Sequence, residues 1–203
     1  MIVLAGPSGA GKSRLAERLG LPVLRLDDFY KSGDDPTLPK VTSGANAGMT
    51  DWDHPDSWLL VDALDTLGQL CREGSAEVPV YEIASNGRHG SRVLDLDGSP
   101  YFVAEGIFAP EVVEGCAERG LLAAAYCVRQ HQLVTFWRRL TRDLRERRKP
   151  PLVLLRRGWA LLRDQDRVVA HAAARGCRPV TPDEAYAEIE RFTVRPPGRH
   201  SPA

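Results

Sequence analysis

Eight residues near the start of the chain carry the clearest chemistry. Gly6-Pro7-Ser8-Gly9-Ala10-Gly11-Lys12-Ser13 fits the spacing G-x-x-x-x-G-K-[ST]. Glycines so spaced let successive backbone N–H groups turn inward around an oxyanion. A helix starting there would aim the positive end of its dipole at the same point. Gly6, Ser8, Gly9, Ala10, Gly11, Lys12 and Ser13 are therefore the candidate nucleotide-phosphate ligands. The Lys12 ammonium suits the β- and γ-phosphates, and the Ser13 hydroxyl suits Mg²⁺. The surroundings are those the mechanism needs. A short apolar run, Ile2 to Ala5, precedes the loop, and Lys12 to Leu19 has helical composition.

A second group of interest is Leu26-Asp27-Asp28-Phe29-Tyr30, just after an expected strand at Val23 to Leu26. Open α/β sheets bind ligands at the carboxyl ends of their strands, so Asp27 and Asp28 should face the phosphate region. A carboxylate there can take a proton from an attacking hydroxyl. The guanine-reading N-K-x-D of a switch GTPase is absent.

The elements that must position these groups alternate strand with helix. Val78 to Tyr81, Tyr101 to Ala104 and Leu121 to Val128 are expected strands, with Arg92 to Asp95 a weaker one beside an Asp97-Gly98 turn. Pro55 is expected to open a helix with Leu59, Leu60, Ala63, Leu64 and Leu67 on one face. Pro110 to Arg119 also reads as helix. This alternation predicts a parallel sheet with helical crossovers. Residues 31–50 form a long loop rich in Gly, Pro, Ser, Thr and Asp, of a length uncommon without a function. From His131 the pattern is helical, Pro150-Pro151 ends that helix, and a second stretch covers about 152–174. Thr181-Pro182-Asp183-Glu184 has the form of a helix start.

The chain of 203 residues is 43% hydrophobic, enough for one packed domain. That domain is expected over 1–195, with 196–203 a disordered tail. The opening apolar run lacks the flanks of a signal peptide. The longest apolar stretch, Leu121 to Val128, is too short to cross a membrane as a helix. Cys71, Cys116, Cys127 and Cys177 form no C-x-x-C pair and read as reduced core thiols of a cytoplasmic protein. The formal net charge is zero but segregated: residues 1–128 carry 10 basic and 19 acidic side chains, whereas 129–178 carry 14 and 4. That basic segment suits a polyanion. Without interleaved aromatics it is not the pattern of a nucleic-acid partner.

Six segments in order over residues 1–149 resemble the uridine kinase (uridine–cytidine kinase) family, within the phosphoribulokinase-like P-loop kinases. They are the phosphate loop, Asp27-Asp28-Phe29-Tyr30 (like Asp-Ser-Phe-Tyr), Trp52-Asp53-His54-Pro55-Asp56 (like Phe-Asp-His-Pro-Asp), Val78-Pro79-Val80-Tyr81 (like Ile-Pro-Val-Tyr), Ala104-Glu105-Gly106-Ile107-Phe108 (like Phe-Glu-Gly-Ile-Leu), and the arginine-rich Arg139 to Arg147.

The resemblance implies a P-loop NTPase fold: a parallel sheet flanked by helices, as in nucleoside monophosphate kinases, with an arginine-rich helical lid at about 139–151. It implies transfer of phosphate from ATP, with Mg²⁺, to the 5′-hydroxyl of a small-molecule nucleoside, uridine or cytidine. In that comparison Asp27 is the base, and Lys12 and Arg142 act on the transferred group. Arg139 and Arg147 embrace the nucleotide. Tyr30, Asp53 and Tyr81 hold the nucleoside, and Glu105 joins Ser13 at the metal. Two departures stand out. Asn86 occupies the position of a base-reading His, and Asp28 replaces a Ser beside the expected base. Another small hydroxyl metabolite as acceptor, or a regulatory nucleotide-binding module, are the alternative readings.

Overall fold

The computed structural model describes residues 1–130 and 166–193, apart from Ser8, Ala45 and Ile83. The expected lid, with Arg139, Arg142 and Arg147, and the tail lie outside the described residues, as does Ser8.

Five parallel strands form the main sheet: β1 (Ile2–Ala5), β2 (Val23–Arg25), β5 (Val103–Glu105), β6 (Ala124–Val128) and β7 (Arg178–Val180), in the order β2-β5-β1-β6-β7. Every residue of β1 is fully buried, because the strand lies mid-sheet with both faces covered. Its side chains alternate accordingly. Val3 and Ala5 pack with Leu24, Leu67 and Phe102, whereas Ile2 and Leu4 pack with Leu15, Val128 and Ile189. The helices α1 (Lys12–Leu19) and α4 (Pro182–Thr193) cover this second face. The first is covered by α2 (Leu60–Glu73), α3 (Val113–Glu118) and Ala172 of the helical residues 166–174.

The start of α4 follows the sequence pattern. Thr181 accepts from the Glu184 N–H at 3.3 Å, and the Glu184 carboxylate accepts from the Thr181 N–H at 2.7 Å, a reciprocal capping box with Pro182 at the first turn.

Several expected elements are corrected. Val78 to Tyr81 belongs to β3 (Ser75–Glu82). It pairs antiparallel with β4 (Gly87–Asp95) in a separate two-stranded ribbon, not in the main sheet. Pro79 suits that setting, since a ribbon strand can spare its missing N–H. Pro55 opens only a short 3-10 turn, Pro55–Ser57. Trp58 then turns extended: it bridges Tyr30, and its indole N–H donates to the Leu26 carbonyl at 2.6 Å, so α2 begins at Leu60. The Pro110–Arg119 helix is a 3-10 turn, Ala109–Val112, leading into α3. The Tyr101–Ala104 strand shifts to Val103–Glu105, and Leu121–Val128 shortens to Ala124–Val128. Cys116, Cys127 and Cys177 are buried, but Cys71 is exposed and no core thiol. No helix among the described residues is long and apolar enough to cross a membrane.

Candidate active site

Three adjacent strands deliver the candidate residues. Leu4, Glu105 and Arg25 lie side by side across β1, β5 and β2. The phosphate loop therefore leaves β1, Glu105 closes β5, and Asp27 follows β2, all at the carboxyl edge of the sheet. That edge is where open parallel sheets hold ligands.

The loop itself is tightly seated. Gly6 has φ +129°, and a Cβ there would collide with the Val128 carbonyl oxygen, so no other residue fits. Lys12 leans over the loop, with Nζ donating to the carbonyls of Gly6 (2.7 Å) and Pro7 (3.3 Å). Ala10 is buried in the core and Gly11 caps α1, which anchors the loop to the helix.

The Ser13 hydroxyl donates to Glu105 Oε1 at 3.3 Å. Burial pushes the Glu105 carboxyl up from its ordinary range. Lys12 pulls it back, and the nearby Asp27 pushes it further up. A hydroxyl and a carboxylate oxygen side by side fit a hard divalent cation that keeps most of its ligands as water and phosphate. No group of three or more His, Cys, Asp or Glu side chains among the described residues could hold a metal alone.

Asp27 is held by the chain after β5. Its Oδ1 accepts from the Ile107 N–H at 2.9 Å, across Gly106. Asp28, next along, turns the other way. It is only 5% exposed, and its Oδ1 accepts from the Tyr81 N–H at 3.5 Å. Burial raises its carboxyl above the usual range, against the opposing fields of Arg25 and Arg92.

Beyond Asp27 lies an aromatic wall. The Tyr30 ring meets Trp52, Tyr81 and Phe108 at centroid distances of 5.7, 5.5 and 5.6 Å, and Phe108 packs on Trp58 at 5.4 Å. The Tyr30 hydroxyl is pushed well above its ordinary range, first by burial and then by the charges of Asp27 and Asp53. Both carboxylates thus act on the phenol whose ring Tyr81 meets. A separate open hollow of about 440 Å³, lined by Lys31, Thr37, Asp56, Trp58 and Asp62, includes none of the phosphate-loop residues.

Asn86 is the sequence-predicted residue least drawn into this wall. It is exposed on the turn between β3 and β4 with φ +48°, and its carbonyl accepts from the Gly33 N–H at 2.6 Å. Sequence reasoning missed Arg88. Its Nε donates to the Tyr30 carbonyl at 3.2 Å, Nη1 lies 3.8 Å from Asp62, and Nη2 is buried without a hydrogen-bond partner among the described residues. Trp52 and Phe108 were visible only as parts of matched segments. A spacing pattern carries no signal for a main-chain contact made 58 residues away.

No protein-family model matches the chain. A uridine kinase of Staphylococcus aureus (strain Newman) is 30% identical over 158 residues, covering 72% of this chain and 70% of that protein. A uridine kinase of Lactobacillus johnsonii is 26% identical over 155 residues, covering 72% and 69%. Among solved structures, a protein described as a candidate fructose transport system kinase from Silicibacter sp. TM1040 superposes with a TM-score of 0.55 over 89% of this chain and 86% of that one. At 16% identity this likeness bears on the fold alone. Sheet order, phosphate loop and relatives together define a P-loop kinase. Within that class, the chain belongs to the uridine kinase family.

Proposed function

We propose that the protein transfers the γ-phosphoryl group of ATP to the 5′-hydroxyl of a pyrimidine nucleoside, uridine or cytidine. The observation that carries the reading is the position of Asp27. Its charge acts both on Glu105, which accepts from Ser13 beside the phosphate loop, and on Tyr30 of the aromatic wall, and one of its carboxylate oxygens accepts from the Ile107 N–H. That leaves Oδ2 to meet an incoming hydroxyl.

The chemistry follows from these groups. The nucleoside base packs against Tyr30 and Tyr81, and Asp53 accepts from the ribose 2′- and 3′-hydroxyls. Asp27 Oδ2 takes the 5′-hydroxyl proton as that oxygen bonds to the γ-phosphorus. The bond from the γ-phosphorus to the β–γ bridging oxygen breaks, and ADP leaves with its electron pair. Lys12 and the loop N–H groups stabilise the charge on the transferred group. Ser13 and Glu105 would hold Mg²⁺, which when bound neutralises phosphate charge. Arg142, with Arg139 and Arg147, is assigned to closing over the nucleotide from the basic segment. The whole is read as one catalytic domain over residues 1–195.

The exposed turn position of Asn86 favours a second reading, in which the same machinery serves another small hydroxyl compound. A panel of nucleosides, sugars and sugar phosphates, scored for ADP formed from Mg-ATP, separates the two. Turnover confined to pyrimidine nucleosides supports the first reading. Turnover confined to another compound supports the second.

A further inference from the structure

Asp28 and Ser57 are the buried polar side chains among the described residues. Burying a carboxylate is costly unless something nearby repays it. The mechanism above gives Asp28 no task, and the resembling family motif carries Ser there. The surroundings of Asp28 supply a reason for it.

The β3–β4 ribbon shares no strand pairing with the main sheet, yet it carries Tyr81, one wall of the acceptor space. Its ladder slips by one residue between Pro79 and Tyr81, an irregularity of the kind that re-aims the side chains beyond it. Three ties join this end of the ribbon to residues 28–33. The Tyr81 N–H donates to Asp28, Arg88 Nε donates to the Tyr30 carbonyl, and the Gly33 N–H donates to the Asn86 carbonyl. Tyr81 and Arg88 are cross-strand partners, so the first two ties grip one rung of the ribbon. Asp28 makes the innermost tie, is bonded through the chain to Asp27, and faces Arg25 from the main sheet and Arg92 from the ribbon.

We propose that Asp28 is a positioning residue that registers the ribbon, and with it the Tyr81 wall, against the segment carrying the base Asp27. The proposal rests on the acceptor reading above for its kinetic consequence, but not for the tie itself. Asp28 acts through an oxygen that accepts the Tyr81 N–H, and Asn keeps such an oxygen whereas Ala does not.

The test compares Asp28→Ala and Asp28→Asn in the full chain, with uridine and cytidine as acceptors and amide hydrogen exchange read at Tyr81. Asp28→Ala should speed Tyr81 exchange by about tenfold or more and raise acceptor KM about tenfold, with kcat and ATP KM within about twofold. Asp28→Asn should restore the protection and the KM. An alanine variant with unchanged acceptor KM and unchanged Tyr81 exchange overturns the proposal. So does an asparagine variant that loses kcat, which would mean that the charge itself takes part in the reaction. If the wild-type chain phosphorylates neither nucleoside, the acceptor reading falls alone, and the exchange at Tyr81 still decides the role of Asp28. Should the alanine variant fail to fold, the asparagine variant carries the test: it must keep both Tyr81 protection and kcat.

Discussion

A Cβ on Gly106 would stand 2.7 Å from Asp27 Oδ1, the oxygen that accepts the Ile107 N–H at 2.9 Å. The two segments approach so closely that Asp27 has its position only while residue 106 has no side chain. Gly106→Ala should displace the carboxylate by a few tenths of an ångström or more and lower kcat about 10–100-fold. ATP affinity should hold, since the phosphate loop is untouched. Steady-state kinetics with a separate ATP titration checks this, and an unchanged kcat would detach Asp27 from the chemistry.

Asp27 and Asp28 are adjacent in sequence but face different neighbours, so their amides should behave differently. Asp27→Asn keeps the shape and removes the proton acceptor. It should cost about 10²–10⁴-fold in kcat, with ATP binding retained. Asp28→Asn should stay near wild type. The reverse ranking would show that the catalytic register is off by one residue.

Glu105 should trade stability for function. Burial raises its carboxyl above the ordinary 4.5, so the folded protein holds that proton more tightly than the unfolded chain. Its contribution is most favourable below the unfolded value and is lost as pH rises through the folded one. At neutral pH, Glu105→Gln should therefore raise the Tm of the nucleotide-free protein. The same change should lower Mg²⁺-dependent turnover by an order of magnitude or more. Thermal melts at pH 4 and pH 7 check the sign, since the gain should appear only at the higher pH.

The cap of α4 offers a control away from the site. Thr181→Ala removes the side-chain half of the capping box and should lower Tm by roughly 2–4 °C, leaving kcat and KM unchanged. A kinetic effect there would tie α4 to the reaction.

What could be read from the sequence was what local chemistry determines. The phosphate loop between Ile2–Ala5 and Lys12–Leu19, and the Thr181–Glu184 helix start, each depend on a few neighbouring residues, and the structure keeps both. Asp27, Glu105 and Tyr30 were visible through matched segments, and sheet order then brings them together. The β3–β4 ribbon was hidden, because an alternating run does not say which strand it will pair with. The break at Trp58 escaped notice because its cause is an indole bond to Leu26, 32 residues earlier. Arg88 stayed invisible for the same reason, and β7 (Arg178–Val180) is too short to leave a pattern.

The most direct measurement incubates the purified chain with Mg-ATP and uridine or cytidine and follows both products by phosphorus NMR. The expected result is ADP and nucleoside 5′-monophosphate in equal amounts, with both signals lost in Asp27→Asn and in Lys12→Ala. ADP without a nucleoside monophosphate, or full nucleoside phosphorylation by a folded Asp27→Asn protein, would contradict the assignment.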